Sequence, residues 1–372
     1  MNSKSWKTMG IALACLGGAL LTAGAAGAAD FYKGKRLKLM IGNTPGGSYD
    51  ISARLVGRHI VRFIPGQPTL IVQNMRGGTG LIAANYVANI GPKDGTLVAN
   101  AHQSLPLRQV FGDKQVRYDA RGFQWIGSPQ SSVAMIATWH NSPIKTIEDA
   151  MKQDSILGST TIRASASIVP ALTNSMLGTK FRLAMGYKST EINLAMERGE
   201  VAGRAGQAWA GWKAEEPDWV RDKKLNYLIQ VGLKKDPEIP QVPLLLDLAK
   251  GKKAEAIIKL YSAQISTGRP MYVVKEVPKD RVAILRAAFD KAMADPQLLA
   301  DAKKLHYEIK PTSGLELQQI VADMMATPKE FLAEAKKAMR YSAPYETCAK
   351  LSGKKACRAK KKKKKKKKKK ES

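Results

Sequence analysis

The 372 residues carry 61 basic against 31 acidic side chains, a formal net charge of +30. Removing two basic residues before position 30, and fifteen basic and two acidic residues after position 340, leaves 44 against 29; this body of +15 suits an anionic ligand without requiring one. The three cysteines, one in an apolar leader and two beyond the last helical pattern, exclude a disulfide-built core. Lys4 and Lys7 precede an Ala/Gly-rich apolar run from Met9 to Thr22, and small residues lead to Ala26-Gly-Ala28 and Ala29. That is the pattern of a secretory signal peptide cleaved near Ala28 or Ala29. The run is too weakly hydrophobic to favour a membrane anchor, and no later segment reaches spanning length.

From Lys35 the pattern is strand, glycine loop and helix, repeated. Leu37–Ile41 reads as a buried strand that stops at Pro45-Gly-Gly. A helix opens at Ser48 or Tyr49, with Ile51, Leu55, Val56, Ile60 and Phe63 on one 3.6-residue face. Arg54, Arg58 and Arg62 share another face, either solvated or docking a partner. A strand at Thr69–Gln73, the loop Asn74–Gly80, a helix at Leu81–Asn89 and a strand at Thr96–Asn100 follow.

Phe123–Gly127 reads as a crossing into a second unit. There the scheme resumes with strands at Val133–Thr138, Ser155–Gly158, Phe181–Met185, Val201–Ala205 and Leu225–Val231. The intervening helices include one capped by Thr146 and Asp149 and one over Ser167–Leu177. Past Pro240 the chain is mainly helical, with short strands at Met271–Val274 and Tyr307–Lys310. The run Lys360–Lys370 cannot bury apolar surface and reads as disordered. Cys348 and Cys357 can pair, stapling this tail, or stay free.

Alternating strands and helices predict an α/β fold of two lobes, with a cleft between two mostly parallel sheets. The boundaries are a leader at 1–29, lobe 1 at 30–126 and lobe 2 at 127–235. Lobe 1 returns with the C-terminal helices at 236–341, and the tail covers 342–372.

Three strand-to-helix junctions share one chemistry: Pro45-Gly46-Gly47-Ser48, Gly77-Gly78-Thr79-Gly80, and Gly158-Ser159-Thr160-Thr161 continuing through Arg163 and Ser165 to Ala166. Each offers backbone N–H groups at the positive end of a helix, a carboxylate or phosphate site. Tyr49, Asp50, His102 and Gln103 border the first pair. Asp50 is either a catalytic carboxylate or a brace for the glycine loop, and His102 either lines the cleft or is an ordinary histidine. Trp209, beside Gln207, offers an apolar wall for an organic ligand.

Enzyme signatures are weak. Gly78-Thr-Gly-Leu-Ile-Ala83 satisfies a dinucleotide fingerprint, but Asp94 falls in a turn before a strand rather than at its end. No Walker A, nucleophile-elbow or HExxH motif occurs, and the four histidines are dispersed.

Pro45-Gly-Gly-Ser-Tyr-Asp50 with Ala53-Arg54, Val72-Gln-Asn74 with Gly77, Gly78 and Gly80, and Gly91-Pro-Lys-Asp-Gly-Thr-Leu97 resemble one receptor family. Tyr118–Phe123, Gly158-Ser159, Tyr187-Lys188 and Pro240–Pro243 continue the likeness in order. The family is that of the Bug-type periplasmic solute-binding proteins of tripartite tricarboxylate transporters. The resemblance implies a two-lobe, hinge-closing (Venus flytrap) periplasmic-binding-protein fold that captures a small organic (di)carboxylate and delivers it to a membrane permease. It implies a periplasmic monomer with no cofactor, metal, catalytic group or nucleic-acid partner. The loops Gly46–Ser48 and Gly78–Gly80 would hold one carboxylate, partly through water. Thr160, Thr161 and Ser165, with Tyr187 nearby, would reach the ligand's other end. Met75-Arg76 and Thr160–Ser165 depart from the family pattern, and Arg163 either pairs with a distal carboxylate or faces solvent. An exported enzyme using Asp50 or His102 in the same cleft is the alternative, and adhesion through the lysine tail a third reading.

Overall fold

The computed structural model describes residues 31–351. The leader at 1–29, Cys357 and the lysine run lie outside the described residues. The chain divides into two α/β units. One comprises residues up to Ser131 with Thr267–Ala322, and the other Ser132–Ser266 with the residues from Asp323 onward.

Unit 1 begins with β1 (Arg36–Ile41), α1 (Ser48–Ile60), β2 (Thr69–Asn74), α2 (Leu81–Asn89), β3 (Leu97–Asn100), α3 (Leu105–Val110) and β4 (Gln124–Ser128). Helix α1 seats directly on the sheet: a Cβ at Gly57 would lie 2.8 Å from Leu39 Cδ2, so any larger residue there requires the leucine to shift. Of its predicted apolar face, Leu55, Val56 and Ile60 are buried while Ile51 remains 38% exposed. The arginine stripe is not a uniform surface, because Arg54 bonds Asp50 and Arg62 bonds Asp295.

Unit 2 contains β5 (Ala134–Trp139), α4 (Ile147–Lys152), β6 (Ser155–Ser159), α5 (Ser165–Leu177), β7 (Phe181–Met185) and α6 (Ser189–Glu197). It continues with β8 (Gly203–Ala208), α7 (Trp209–Glu215), α8 (Pro217–Arg221), β9 (Leu225–Val231) and α9 (Gly251–Ser266). The chain then returns to unit 1 with β10 (Met271–Val273), α10 (Lys279–Met293), α11 (Pro296–Lys304), β11 (Thr312–Ser313) and α12 (Gly314–Met325). It ends with α13 (Lys329–Ala338), β12 (Glu346–Thr347) and the turn α14 (Cys348–Leu351) in unit 2.

The unit 1 sheet has the order β11-β4-β10-β3-β1-β2 and the unit 2 sheet β12-β7-β6-β8-β5-β9. Strands β2, β1 and β3 are parallel, whereas β10 runs antiparallel to both β3 and β4. In unit 2, β12, β7, β6 and β8 are parallel and β5 is antiparallel to β8 and β9. Most strands of each sheet run one way, with β10 and β11 in unit 1 and β5 in unit 2 running against the others. An apolar run reveals a strand but not its direction: β5 and β10, each entered after a change of unit, run against the βαβ series, whereas β12 joins parallel to β7.

Three boundaries differ from the sequence reading. Phe123–Gly127 is no crossing, since β4 pairs with β10 and Trp125 is fully buried beside Tyr272; the chain leaves unit 1 at Ser131. The return falls at Ser266–Thr267 rather than near residue 235. The intervening residues belong to unit 2, where Gln230 donates to the carbonyls of Ile239 and Val242, both at 2.9 Å. Residues 346–351 are not tail: β12 pairs with β7, Glu346 meets Arg182, and Cys348 is buried and disulfide-bonded. The strand expected at Tyr307–Lys310 reduces to an isolated bridge between Lys310 and Gln130, with β11 two residues later.

Candidate functional site

In unit 1 the junctions after β1, β2 and β3 crowd together at the carboxyl edge. A Cβ at Gly42 would come within 2.9 Å of Gly80 Cα, and one at Gly80 within 3.3 Å of His102 Cβ. Helix α1 starts at Gly47 with no side-chain cap. The N–H groups of Ser48, Tyr49 and Asp50 consequently have no acceptor among the described residues. The second loop turns through four positive φ values: Gly77 at 141°, Gly78 at 56°, Thr79 at 57° and Gly80 at 83°. Arg108, ion-paired to Asp113 at 2.7 Å, also donates to the Gly78 carbonyl and fixes this loop.

Asp50 is a brace, not an open acid. Its carboxylate accepts from Gly46 N at 2.9 Å, Arg54 Nε at 2.9 Å and Asn74 Nδ2 at 2.7 Å. Burial alone would raise its pKa, but the bonds from Arg54, Asn74 and Gly46 outweigh it and hold the carboxyl below the ordinary range.

His102 is neutral. Burial, then the charges of Arg108 and Arg269, push it down to about 4. Its Nδ1 accepts from the Ser104 N–H at 3.2 Å and lies 2.7 Å from Ser104 Oγ, which places the proton on Nε2 as a donor. The ring stacks on Tyr49, centroids 4.9 Å apart. Burial raises the Tyr49 phenol to about 12; its hydroxyl donates to the Gly268 carbonyl and accepts the Gln103 N–H, both at 3.3 Å. Tyr49 and the Gln103 backbone thus position the edge rather than offer open groups.

In unit 2 the loop after β6 is tied by Ser167, whose Oγ lies 2.6 Å from Ser159 Oγ and donates to the Thr161 carbonyl at 2.9 Å. Helix α5 follows Ala164 uncapped, and the N–H groups of Ser165 and Ala166 have no acceptor among the described residues. Thr161 and Arg163 are exposed and Thr160 and Ser165 partly so. Gly206, at φ 74°, passes so close to the start of α5 that a Cβ would meet the Ser165 carbonyl carbon at 2.4 Å.

Tyr187, Gln207 and Trp209 are turned inward, against the sequence reading. Tyr187 donates to Glu200 at 3.3 Å, and burial raises its phenol to about 12. Gln207 accepts from buried Arg204 at 2.8 Å. Trp209 donates through Nε1 to Glu238 at 2.9 Å and packs edge-on to Tyr227 in the core. Each partner lies at least three residues away, so local pattern carries no hint of the orientation. Two residues of the unit 1 edge had no sequence signal at all. Arg108 sits in a short helix, and Arg269 in a Gly-Arg-Pro turn of the returning chain.

No protein-family model matches the chain. A curated relative, the "UPF0065 protein in gbd 5'region" of Cupriavidus necator, is 24% identical over 329 residues, covering 87% of this chain and 94% of the relative. Among solved structures, a TctC solute-binding protein from Polaromonas superposes with a TM-score of 0.66 at 21% identity, over 82% of this chain and 99% of that one. The periplasmic binding protein BugD gives 0.51 at 17% identity, over 85% and 100%. A Rhodopseudomonas palustris protein solved with adipate gives 0.53 at 16% identity, over 82% and 97%. The chain therefore has the two-lobe α/β fold of TctC- and Bug-type periplasmic solute-binding proteins, and the resemblance drawn from its loop motifs stands.

Proposed function

We propose that this chain is an extracytoplasmic receptor that captures a small organic carboxylate and delivers it, unaltered, to a membrane permease. One observation carries the reading. At the carboxyl edge of β2-β1-β3, the N-terminus of α1, the loop Gly78–Gly80 and the Nε2–H of His102 all offer donors. Asp50, in the first turn of α1, is saturated by its own partners. A cluster of donors whose neighbouring carboxylate is already satisfied favours an anion or a carbonyl oxygen. Unit 2 carries a donor set of its own at the start of α5, where the Ser165 and Ala166 N–H groups stand free of acceptors among the described residues and Thr160, Thr161 and Arg163 precede them in the loop. The adipate held by a protein of the same fold supports that choice of ligand class.

The enzyme alternative loses support here. Asp50 has no free oxygen to abstract a proton, and His102 offers a donor while its Nδ1 is already bonded to Ser104. Export to the periplasm is part of the proposal, with residues 1–29 as a cleaved leader. Among the described residues no helix is long and apolar enough to cross a membrane.

Thermal shifts of the protein against mono-, di- and tricarboxylates, adipate included, test the reading. A ligand at about 100 times its Kd adds ~2.7 kcal/mol and raises Tm by several degrees. A flat panel sinks the receptor reading, and turnover of any acid replaces it with the enzyme one.

A further inference from the structure

Arg269 belongs to the same edge but comes from the segment by which the chain re-enters unit 1. Its guanidinium carbon lies 5.4 Å from the Tyr49 ring and 5.7 Å from the Tyr307 ring. Nη1 donates to Gln130 Oε1, and the backbone N–H donates to Ser128 Oγ at 3.0 Å. The two tyrosines are themselves fixed, Tyr49 on the Gly268 carbonyl and Tyr307 against Ser52 Oγ at 2.8 Å. Every one of these partners is neutral.

Arg54, Arg62 and Arg108 each meet a carboxylate, at 2.9, 2.9 and 2.7 Å. Arg269 has no carboxylate within ion-pair distance among the described residues, and its Nε is buried without a partner. It is only partly buried. One phenol ring, Tyr49, carries Arg269 and stacks on His102, so the cation stands beside the donor cluster.

We infer that Arg269 is the charge-reading residue of the unit 1 half-site. Backbone N–H groups and a neutral imidazole accept a carbonyl or hydroxyl oxygen as readily as a carboxylate. A pre-set guanidinium without a counter-ion is what makes a full negative charge the preferred occupant. The aromatic mount spares the entropy of ordering the side chain, in contrast to exposed Arg163. Its charge is felt at the site, since it helps to depress the His102 pKa. This inference rests on the receptor reading and deepens it: the ligand presents an ionised group, not a neutral polar one, to unit 1.

The test compares wild type, Arg269→Gln and Arg269→Lys by calorimetry with adipate and with its neutral diamide, while NMR follows the His102 titration. Arg269→Gln is expected to weaken adipate about 10- to 100-fold and to erase the preference over the diamide. It also raises the His102 pKa above about 4, while burial and Arg108 still hold it below the ordinary 6.5. Arg269→Lys retains the charge preference with a smaller loss of affinity. Adipate binding within twofold of wild type in Arg269→Gln overturns the inference. So does a loss of affinity with an unmoved His102, which would assign the residue to packing. If wild type binds no acid of the panel, the receptor reading fails on its own. The His102 shift then still decides whether the Arg269 charge acts at this edge.

Discussion

Replacing Asp50 with asparagine removes one negative charge and puts an NH2 group where three donors converge. Asp50 is 3% exposed and accepts from Gly46, Arg54 and Asn74. Asparagine retains one acceptor, so at least one donor is left unsatisfied and the charge assistance from Arg54 is lost. A hydrogen bond to a charged group contributes about 1.5–3 kcal/mol, and breaking a buried pair costs about 3–5. The Arg54 side chain is 42% exposed and can regain water, which places the expected loss near the lower figure, about 2 kcal/mol. The pH dependence has a definite sign. The folded-state pKa of Asp50 lies below the ordinary 3.8, so its contribution is full well above that value and disappears as pH falls through the lower folded value. Urea denaturation of both proteins at neutral pH and at a series of acid pH values is the assay. The midpoints should differ at pH 7 and converge in acid. Equal midpoints at neutral pH, or a gap that persists far below 3.8, would refute the reasoning.

Four further outcomes follow from the geometry. Gly206→Ala meets both a positive φ and a carbonyl carbon 2.4 Å away, so it should destabilise by roughly 2–3 kcal/mol and weaken adipate binding. Gly112→Ala, at φ 66° in open space, should cost only about 1 kcal/mol in a melting experiment and leave binding alone. Thr79→Gly releases a β-branched residue from φ 57°, ψ 50° and should raise stability by up to about 1 kcal/mol. A lower Tm would show that the threonine side chain outweighs its strain. His102 is already neutral between pH 6.5 and 8, so adipate affinity measured by calorimetry should be flat across that range. The contribution of His102 to stability is full above 6.5 and fades as pH falls toward about 4.

The local half of this fold was legible because it is written locally. β1, α1, β2 and α2 follow from apolar runs and from glycines whose φ values, 75° at Gly46 and 83° at Gly80, exclude most other residues. The donor-rich junctions were legible for the same reason. What failed depended on distant partners. β10 and β4 have the composition of strands, but their antiparallel pairing joins residues about 150 positions apart. Tyr187, Gln207 and Trp209 end the right strands and still face inward, because Glu200, Arg204 and Glu238 hold them there. Arg269 acquires its place only when the chain returns to unit 1 and lays it against Tyr49.

The strand β10 lies between β3 and β4, in the middle of its sheet, although all of β5–β9 is made before it. An emerging amino-terminal fragment can pair β2, β1 and β3, yet it cannot join them to β4 until Met271–Val273 arrives. Unit 2 waits longer still, since β12 completes its edge from residues 346–347. Neither sheet can close ahead of synthesis, and the loop that must be closed first is long and entropically slow. A chain built this way stays open until nearly all of it has been delivered. On the export proposed above, that postponement is what passage through a narrow translocation pore demands.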